Sequence, residues 1–348
     1  MMGKQQLQQS RNMVGIGASL VLGTLLSVYS LILLWPQGNN YDSVKIRIPE
    51  GASLKEAGKV LFDQNIINNE RSFMLAVKML GYEKDLPAGR FRLSQARTNY
   101  AIINQLVHGL PVQRLITIYE GWSIKKVASE LERTLGINAQ EFIDLCSNQL
   151  LLWRLGIDGD SFEGYLFPDT YYFNENARPV DIIKRLVKEY RKNFTAAMRS
   201  ELNEIGMTEK EIVILASIIE GEAMYDVERP IISGVYHNRL NKGMLLQADP
   251  TIQYILEDGP RRLLNKDLRI KSPYNTYLNS GLPPGPINNP GFESIKAALN
   301  PAVTDFIYFV AKGDGYHAFS KTQSEHISAK RKFQRIRREA RRIKLKNK

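Results

Sequence analysis

Cysteine is almost absent: the 348 residues hold one, Cys146. No intramolecular disulfide is possible, so either the compartment is reducing or the fold does without bridges. Histidine is scarce too. His108, His237, His317 and His326 show no metal spacing such as His-Glu-x-x-His, and no glycine loop of the phosphate-cradling kind is present. Neither a metal nor a nucleotide nor any other cofactor is expected. Low-complexity tracts and an excess of Pro and Gly are also missing, which excludes fibrous and disordered classes and leaves a folded chain with ample material for a core.

Charge is lacking where a nucleic-acid binder would need it. The chain carries +11, but residues 330–348 hold a net +10 and the first twelve residues +2, so the stretch between them is at −1. The body is near neutral and the basicity is an appendage, so no nucleic-acid partner is expected. One run lacks charge altogether: residues 13–35, MVGIGASLVLGTLLSVYSLILLW. At about 1.5 Å per residue such a helix spans a hydrocarbon core of roughly 30 Å. Lys4 and Arg11 precede it, whereas residues 36–44 hold Asp42 and no basic residue. The positive-inside rule therefore puts residues 1–12 in the cytoplasm and everything after residue 35 across the inner (cytoplasmic) membrane, on a single-pass anchor. A cleaved signal peptide is the rival, but the run exceeds the usual apolar region and no Ala-x-Ala-like site comes after it.

Beyond the span the chain repeats itself. Residues 46–61, IRIPEGASLKEAGKVL, return seventy residues later as ITIYEGWSIKKVASEL at 116–131. Each copy reads as an alternating strand, a Glu-Gly turn and a Ser-capped amphipathic helix. A second helical segment comes next at 70–80 and at 138–148, and the first copy closes on a strand-like GRFRL at 89–93. This β-α-α-β unit resembles the LysM-like modules that bind the N-acetyl sugars of wall glycans. The other reading is a pair of α+β subdomains that only position the C-terminal half of the chain.

Residues 160–173, DSFEGYLFPDTYYF, set Glu163 and Asp169 among aromatics, which suits carbohydrate and suits a core strand equally well. Residues 180–202 read as one basic amphipathic helix. Next comes TEKEIVILASIIEGEAM, residues 208–224, which opens on the capping box Thr208/Glu211 and runs apolar from Ile212 to Ile219. At the end of that greasy run stand Glu220 and Glu222, pointing about 200° apart on a continued helix. Burial disfavours a carboxylate's charged form, and a raised pKa is what a general acid needs near neutral pH. Periodicity alone does not choose between the two. The bland reading is a helix ending at Gly221 with solvated glutamates.

Further on, EGYLFPDTY (163–171), LASIIEGE (215–222), HNRLNKGMLLQADPTIQY (237–254), SPYNTY (272–277), GLPPGPINNPG (281–291), IYFVAKGDGYHAFS (307–320) and Glu325-His326 succeed one another in order. Together they resemble the YceG-like catalytic domain of the endolytic murein transglycosylases, the MltG family. The departures are small: Gly221 where a larger residue is usual, His237 where an apolar one is usual, and the long basic tail. The resemblance implies a lyase that cuts the MurNAc–GlcNAc β-1,4 bond of nascent peptidoglycan strands without water, leaving 1,6-anhydro ends. It assigns the catalytic acid to Glu220 and suggests Glu222, Gln247, Asp249, Tyr254, Asn275 and Tyr277 as groove residues, with Glu222 also the second choice for the acid. Peptidoglycan strands, the membrane and peptidoglycan synthases are the implied partners. A hydrolase on the same scaffold, with Asp249 helping a water attack, and a non-catalytic wall-binding scaffold are the alternatives.

The expected fold class is therefore α+β: a transmembrane helix, LysM-like subdomains at 44–159 (copies near 44–110 and 113–159), and a mixed α+β catalytic domain at 160–329. The tail, 330–348, reads as a helix with Ala329, Phe333, Ile336, Ala340 and Ile343 on one seam and basic residues elsewhere. It either lies on anionic lipid, packs on the body, or forms a largely disordered end.

Overall fold

The computed structural model describes residues 20–37, 43–49, 51–94, 97–108, 113–175, 177–257, 259 and 261–346. The expected cytoplasmic segment 1–12 and the part of the expected span before residue 20 lie outside the described residues. Residues 20–34 form helix α1, with Leu22, Leu25 and Leu34 exposed along it. Among the described residues, no helix is long and apolar enough to cross a membrane. The described residues divide into two compact units: those up to Arg114 with Tyr172–Glu175, and Leu115–Tyr171 with those from Ala177 on.

In the first unit, β1 (Ser43–Ile48) pairs antiparallel with β2 (Gly89–Ser94), and α2 (Leu54–Asp63) and α3 (Glu70–Met79) lie between them in sequence. The alternation in β1 turns Ile46 and Ile48 into a core with Leu61, Phe73, Phe91 and, from α4 (Asn99–His108), Ile102. Helix α2 starts on the Ser cap the sequence predicts, and Glu56 extends it to a full capping box: Ser53 Oγ accepts from the Glu56 amide, and the Glu56 carboxylate accepts the Ser53 amide at 2.7 Å. Asn99 is fully buried and donates to the Ile32 carbonyl at 2.8 Å and to Ser72 Oγ at 3.1 Å, fixing the end of α1.

The second unit opens with the second copy of the repeat. Strand β3 (Gln113–Ile118, in this unit from Leu115 on) leads through α5 (Ile124–Leu135), α6 (Ala139–Cys146) and α7 (Gln149–Arg154) to β4 (Asp169–Asn174, in this unit up to Tyr171), with which β3 pairs. The strand that closes this copy thus comes from the aromatic stretch, beyond the boundary expected at residue 159. Ser123 sits at the N-cap of α5 but makes no side-chain cap bond. Lys126 stands where the first copy has Glu56, so no capping box can form. The buried carboxylate of Glu163 takes the Ile124 amide instead, at 3.0 and 3.2 Å. Asn289 completes the join: its Oδ1 accepts from the Gly164 and Leu166 amides, and its Nδ2 donates to Trp122 O and Glu163. These bonds put the second copy in one compact unit with the helices downstream of it.

The helix read over 180–202 is two helices, α8 (Pro179–Asn193) and α9 (Ala196–Ile205). Phe194, fully buried, leaves helical geometry at ψ 85°, and Thr195 starts α9 by accepting from the Met198 amide. Helix α10 (Glu209–Glu222) is the axis of the unit, packed by α11 (Arg229–Asn241), α12 (Asp249–Ile255) and α13 (Phe292–Leu299). A hairpin of β5 (Tyr308–Ala311) and β6 (His317–Ser320) comes after them, and α14 (Gln323–Lys346) packs its first half on that hairpin. The tail is therefore helical and rests on the body at least as far as Phe333 and Ile336, which lie against Gly313.

Candidate active site

Helix α10 is locked at three levels. Thr208 and Glu211 form its capping box at 2.8 and 3.2 Å. Every residue from Ile212 to Ile219 is buried. Midway, Ser217 Oγ accepts the Ile287 amide at 3.1 Å, while Asn288 Nδ2 donates to the Ser217 carbonyl at 2.8 Å. The Pro- and Gly-rich loop is thereby fastened to the helix one turn before its two glutamates.

Those two glutamates diverge. One Glu220 oxygen accepts from the Gly291 amide at 3.0 Å and from Ser294 Oγ at 2.9 Å, and it stands 3.2 Å from Arg229, whose side chain is as buried as its own. Arg229 in turn donates to Asp226 at 2.9 Å and to Ser294. Glu120, from the Glu-Gly turn of the second repeat copy, lies beside this cluster. Burial and the charge of Glu220 push its carboxyl up. The Gly291, Ser294 and Arg229 contacts all fall on the same Glu220 oxygen, and Glu220 is not among the residues that line the two cavities described below.

Glu222 lines a cavity of about 430 Å³ with Arg239, Gln247, Asp249, Tyr277, His317, His326 and Lys330. Tyr236, buried on α11, donates its hydroxyl to Glu222 Oε1 at 3.0 Å. Burial pushes the Glu222 carboxyl up to about 8 and the charge of Asp249 adds to the rise, outweighing the Tyr236 hydroxyl and the Asp249 amide, which favour the carboxylate. Asp249 is held by the Tyr277 hydroxyl at 2.5 Å. The backbone around them is braced: Gln247 takes the left-handed conformation at φ 52°, its amide donates to Thr276 O, and Thr276 Oγ1 accepts the Ala248 amide. The cavity therefore holds a carboxyl raised toward neutral pH beside a second carboxylate, the pairing that separates proton donor from charge stabiliser.

Of the seven residues singled out in sequence, Glu222, Gln247, Asp249 and Tyr277 come together on this cavity. Glu220 does not, nor does Asn275. Asn275 is fully buried, and its amide group is spent on the Leu268 and Ile270 carbonyls and the Tyr277 amide. Tyr254 packs its ring on Tyr274 at 5.0 Å, also away from the cavity lining. Sequence reasoning missed Tyr236 and Arg239 as neighbours of the acid. Arg239 reaches the Ile307, Leu245 and Leu246 carbonyls, and its only signal was the Asn-Arg-Leu triplet. His317 presents its ring to the cavity while its amide and Nδ1 both meet Glu228 at 2.9 Å.

A larger hollow of about 950 Å³ is lined by Lys210, Glu211, His237 and Pro283 among others. Glu211 is spent in the capping box and His237 on the Ala298 carbonyl, so no pair of reactive groups converges there. Among the described residues, no group of three metal-ligating side chains comes together.

Comparison with known proteins agrees with this architecture. The model of the YceG-like family matches residues 46–332. The chain is 36% identical over 326 residues to the endolytic murein transglycosylase of Bacillus subtilis, covering 88% of this chain and 89% of that protein. It is 28% identical over 353 residues to the endolytic murein transglycosylase of Streptococcus pneumoniae, spanning 90% of this chain but 62% of that longer protein. The crystal structure of a yceG-like protein from Listeria monocytogenes superposes with a TM-score of 0.58 at 32% identity, over 82% of this chain and 99% of that one. With the family model running over most of its length, the chain belongs to the YceG-like family.

Proposed function

We propose that the chain is an endolytic peptidoglycan lytic transglycosylase with Glu222 as its catalytic acid, Glu220, to which the resemblance assigns the role, being the other candidate. The observation that carries the reading is the Glu222 carboxyl, raised to about 8 on the wall of a cavity shared with Asp249 and Tyr277. The names of the relatives from Bacillus subtilis and Streptococcus pneumoniae point to the same activity.

Ordinary glycosidases need two carboxyl groups, one as acid and one as base or nucleophile. In the proposed reaction Glu222 protonates the glycosidic oxygen between MurNAc and GlcNAc. It then takes, as carboxylate, the proton of the muramic C6 hydroxyl as that oxygen closes on C1. The nucleophile belongs to the substrate, so positioning replaces activation of a water. Asp249, held by Tyr277, supplies negative charge to the oxocarbenium-like transition state. Gln247 offers an amide from the cavity wall. The product is a 1,6-anhydro-MurNAc end on a nascent strand, a reaction that terminates glycan elongation beside the synthases that extend it. Residues 13–35 anchor the enzyme in the inner membrane, with residues 1–12 cytoplasmic and the second unit facing the wall.

Asp249 supports one rival. A carboxylate in the same cavity is equipped to orient a water, which would make the enzyme a muramidase. Digesting uncrosslinked glycan strands with the full-length protein in detergent and weighing the products decides the matter. Anhydro ends lack one water relative to hydrolysed ends. Hydrolysed ends assign the muramidase, and no cleavage by the wild type overturns both.

A further inference from the structure

A cavity of about 430 Å³ sits at the small end of ligand pockets, which run from roughly 300 to 1,000 Å³. An enzyme that cuts a polymer internally must pass the strand out over the cavity's rim, and the rim here carries an aromatic pair that the mechanism leaves unused. Tyr225, three residues beyond Glu222, stacks on Tyr316, which directly precedes the cavity residue His317: ring centroids 4.3 Å apart, planes at 22°. Each tyrosine is 36% exposed, and Met224 (69%) and Val227 (71%) beside them are more so. An exposed apolar patch adjoining a catalytic cavity marks a contact surface.

The pair is built rather than incidental. Gly315, at φ +91° in the β5–β6 turn, has no room for a Cβ, which would fall 2.6 Å from Met224 Sδ and 2.8 Å from the Tyr225 ring. Only glycine lets the turn close on Tyr225. Glu228, at the end of the short 3-10 turn after Tyr225, clasps His317 through both its amide and Nδ1. The two tyrosines are thus held to the same joint that forms one side of the cavity. Lys312 lies 5.0 Å over the Tyr316 ring, on the face turned away from Tyr225, so both faces of Tyr316 are covered and the outer face of the pair is that of Tyr225; Asp314 accepts the Tyr316 amide.

We propose that Tyr225, backed by Tyr316, forms a platform outside the cavity on which one pyranose ring of the glycan strand rests, holding the strand in register while the bond next to Glu222 is cut. The proposal rests on the glycan-cleaving reading above. An aromatic face offers a flat apolar surface to the C–H face of a sugar, while neighbouring polar groups meet its hydroxyls. A purely structural pair would pin the turn and do nothing to substrate affinity.

The test uses the full chain in detergent and glycan strands of graded length. Tyr316→Ala and Tyr225→Leu are expected to raise KM about five-fold on long strands, in the range that one aromatic contact supplies. The loss shrinks as strands shorten, and kcat moves far less than KM. In the Glu222→Gln background, calorimetric affinity for intact strands falls by the same factor when either tyrosine is replaced, which keeps the test valid if one variant turns over poorly. Melting temperatures show whether each variant is folded. KM and strand affinity within two-fold of the parent values in both variants overturn the platform, as does a loss of binding to anionic vesicles in place of strands. Failure of the wild type to cleave any strand sinks the enzymatic reading instead, while the calorimetric arm still reports on the platform.

Discussion

Arg229 stands 3.2 Å from Glu220 with both side chains almost wholly buried, and Ser294 and the Gly291 amide share the same carboxylate oxygen. A buried ion pair of this kind holds three elements together: the end of α10, the start of α11 and the start of α13. Removing one partner leaves an uncompensated buried charge, which costs about 3–5 kcal/mol. Glu220→Gln is therefore expected to lower the melting temperature by many degrees. It should leave measurable turnover in whatever fraction folds. Glu222→Gln should do the reverse: a melting temperature at or above that of the parent at pH 7, because it removes a carboxyl whose burial opposes ionisation, and a loss of turnover of roughly 100-fold or more, the size of a lost general acid. Thermal melts and strand digestion on the two proteins side by side check this. Full activity in Glu222→Gln would return the catalytic role to Glu220.

The raised carboxyls also predict a pH signature. Glu222 and Glu163 are both pushed to about 8, each mainly by burial. In the unfolded chain such groups lose their protons near 4.5, while the folded protein keeps them to about 8. The folded state thus binds more protons between these values, and its stability falls across that window as pH rises. The melting temperature should be higher at about pH 5 than at about pH 8.5, and Glu222→Gln should flatten the slope by removing one of the two groups. Activity should decline on the alkaline side near pH 8, where the acid ionises. Because the charge of Asp249 adds to the shift, Asp249→Asn should move that limb to lower pH. A limb that stays in place argues that Glu222 is not the titrating acid.

How much of this was legible in sequence depended on range. The Ser53 cap of α2, the capping box of α10, the turn glycines and the strands β1 and β2 arise from signals a few residues apart, and they stand where the pattern put them. The divergence of Glu220 and Glu222 was also legible, since helical geometry sets it. Which one meets the cavity was not, because Arg229, Ser294 and Tyr236 arrive from other elements and carry no local mark. The same holds for Ser123, whose capping role passes to Glu163 forty residues on. The split of 180–202 into α8 and α9 hid behind a continuous amphipathic pattern, with Thr195 as its one overlooked sign.

Gly164 and Asn289 carry the join between the second repeat copy and the rest of its unit. Gly164 sits at φ +89°, and a Cβ there would lie 2.6 Å from Pro286 and 2.7 Å from Val213. Gly164→Ala combines backbone strain with overpacking, each worth about 1–3 kcal/mol. Asn289→Ala strips partners from the buried Gly164 and Leu166 amides, and unsatisfied groups of that kind cost about 1–3 kcal/mol each. Both variants should unfold at clearly lower denaturant concentration than the parent, read by circular dichroism. A midpoint unchanged in either variant would mean that the join is looser than its hydrogen bonds indicate.

Tyr277 gives the sharpest test of the cavity itself. Its hydroxyl donates to Asp249 at 2.5 Å, a short bond to a charged acceptor that is itself exposed. Bonds to charged groups contribute about 1.5–3 kcal/mol, which corresponds to roughly 10- to 150-fold in rate if the bond matters only in the transition state. Tyr277→Phe keeps the ring and removes only the donor, so the fold should be unmoved. If Asp249 supports the developing cation, an Asp249 freed of its donor would be misplaced, and kcat should fall by about ten-fold or more with KM little changed. A fall in affinity alone would place Tyr277 on the substrate rather than on Asp249. The two outcomes are separated by measuring strand binding in Glu222→Gln with and without the tyrosine hydroxyl, since a positioning role leaves ground-state binding intact while a substrate contact does not.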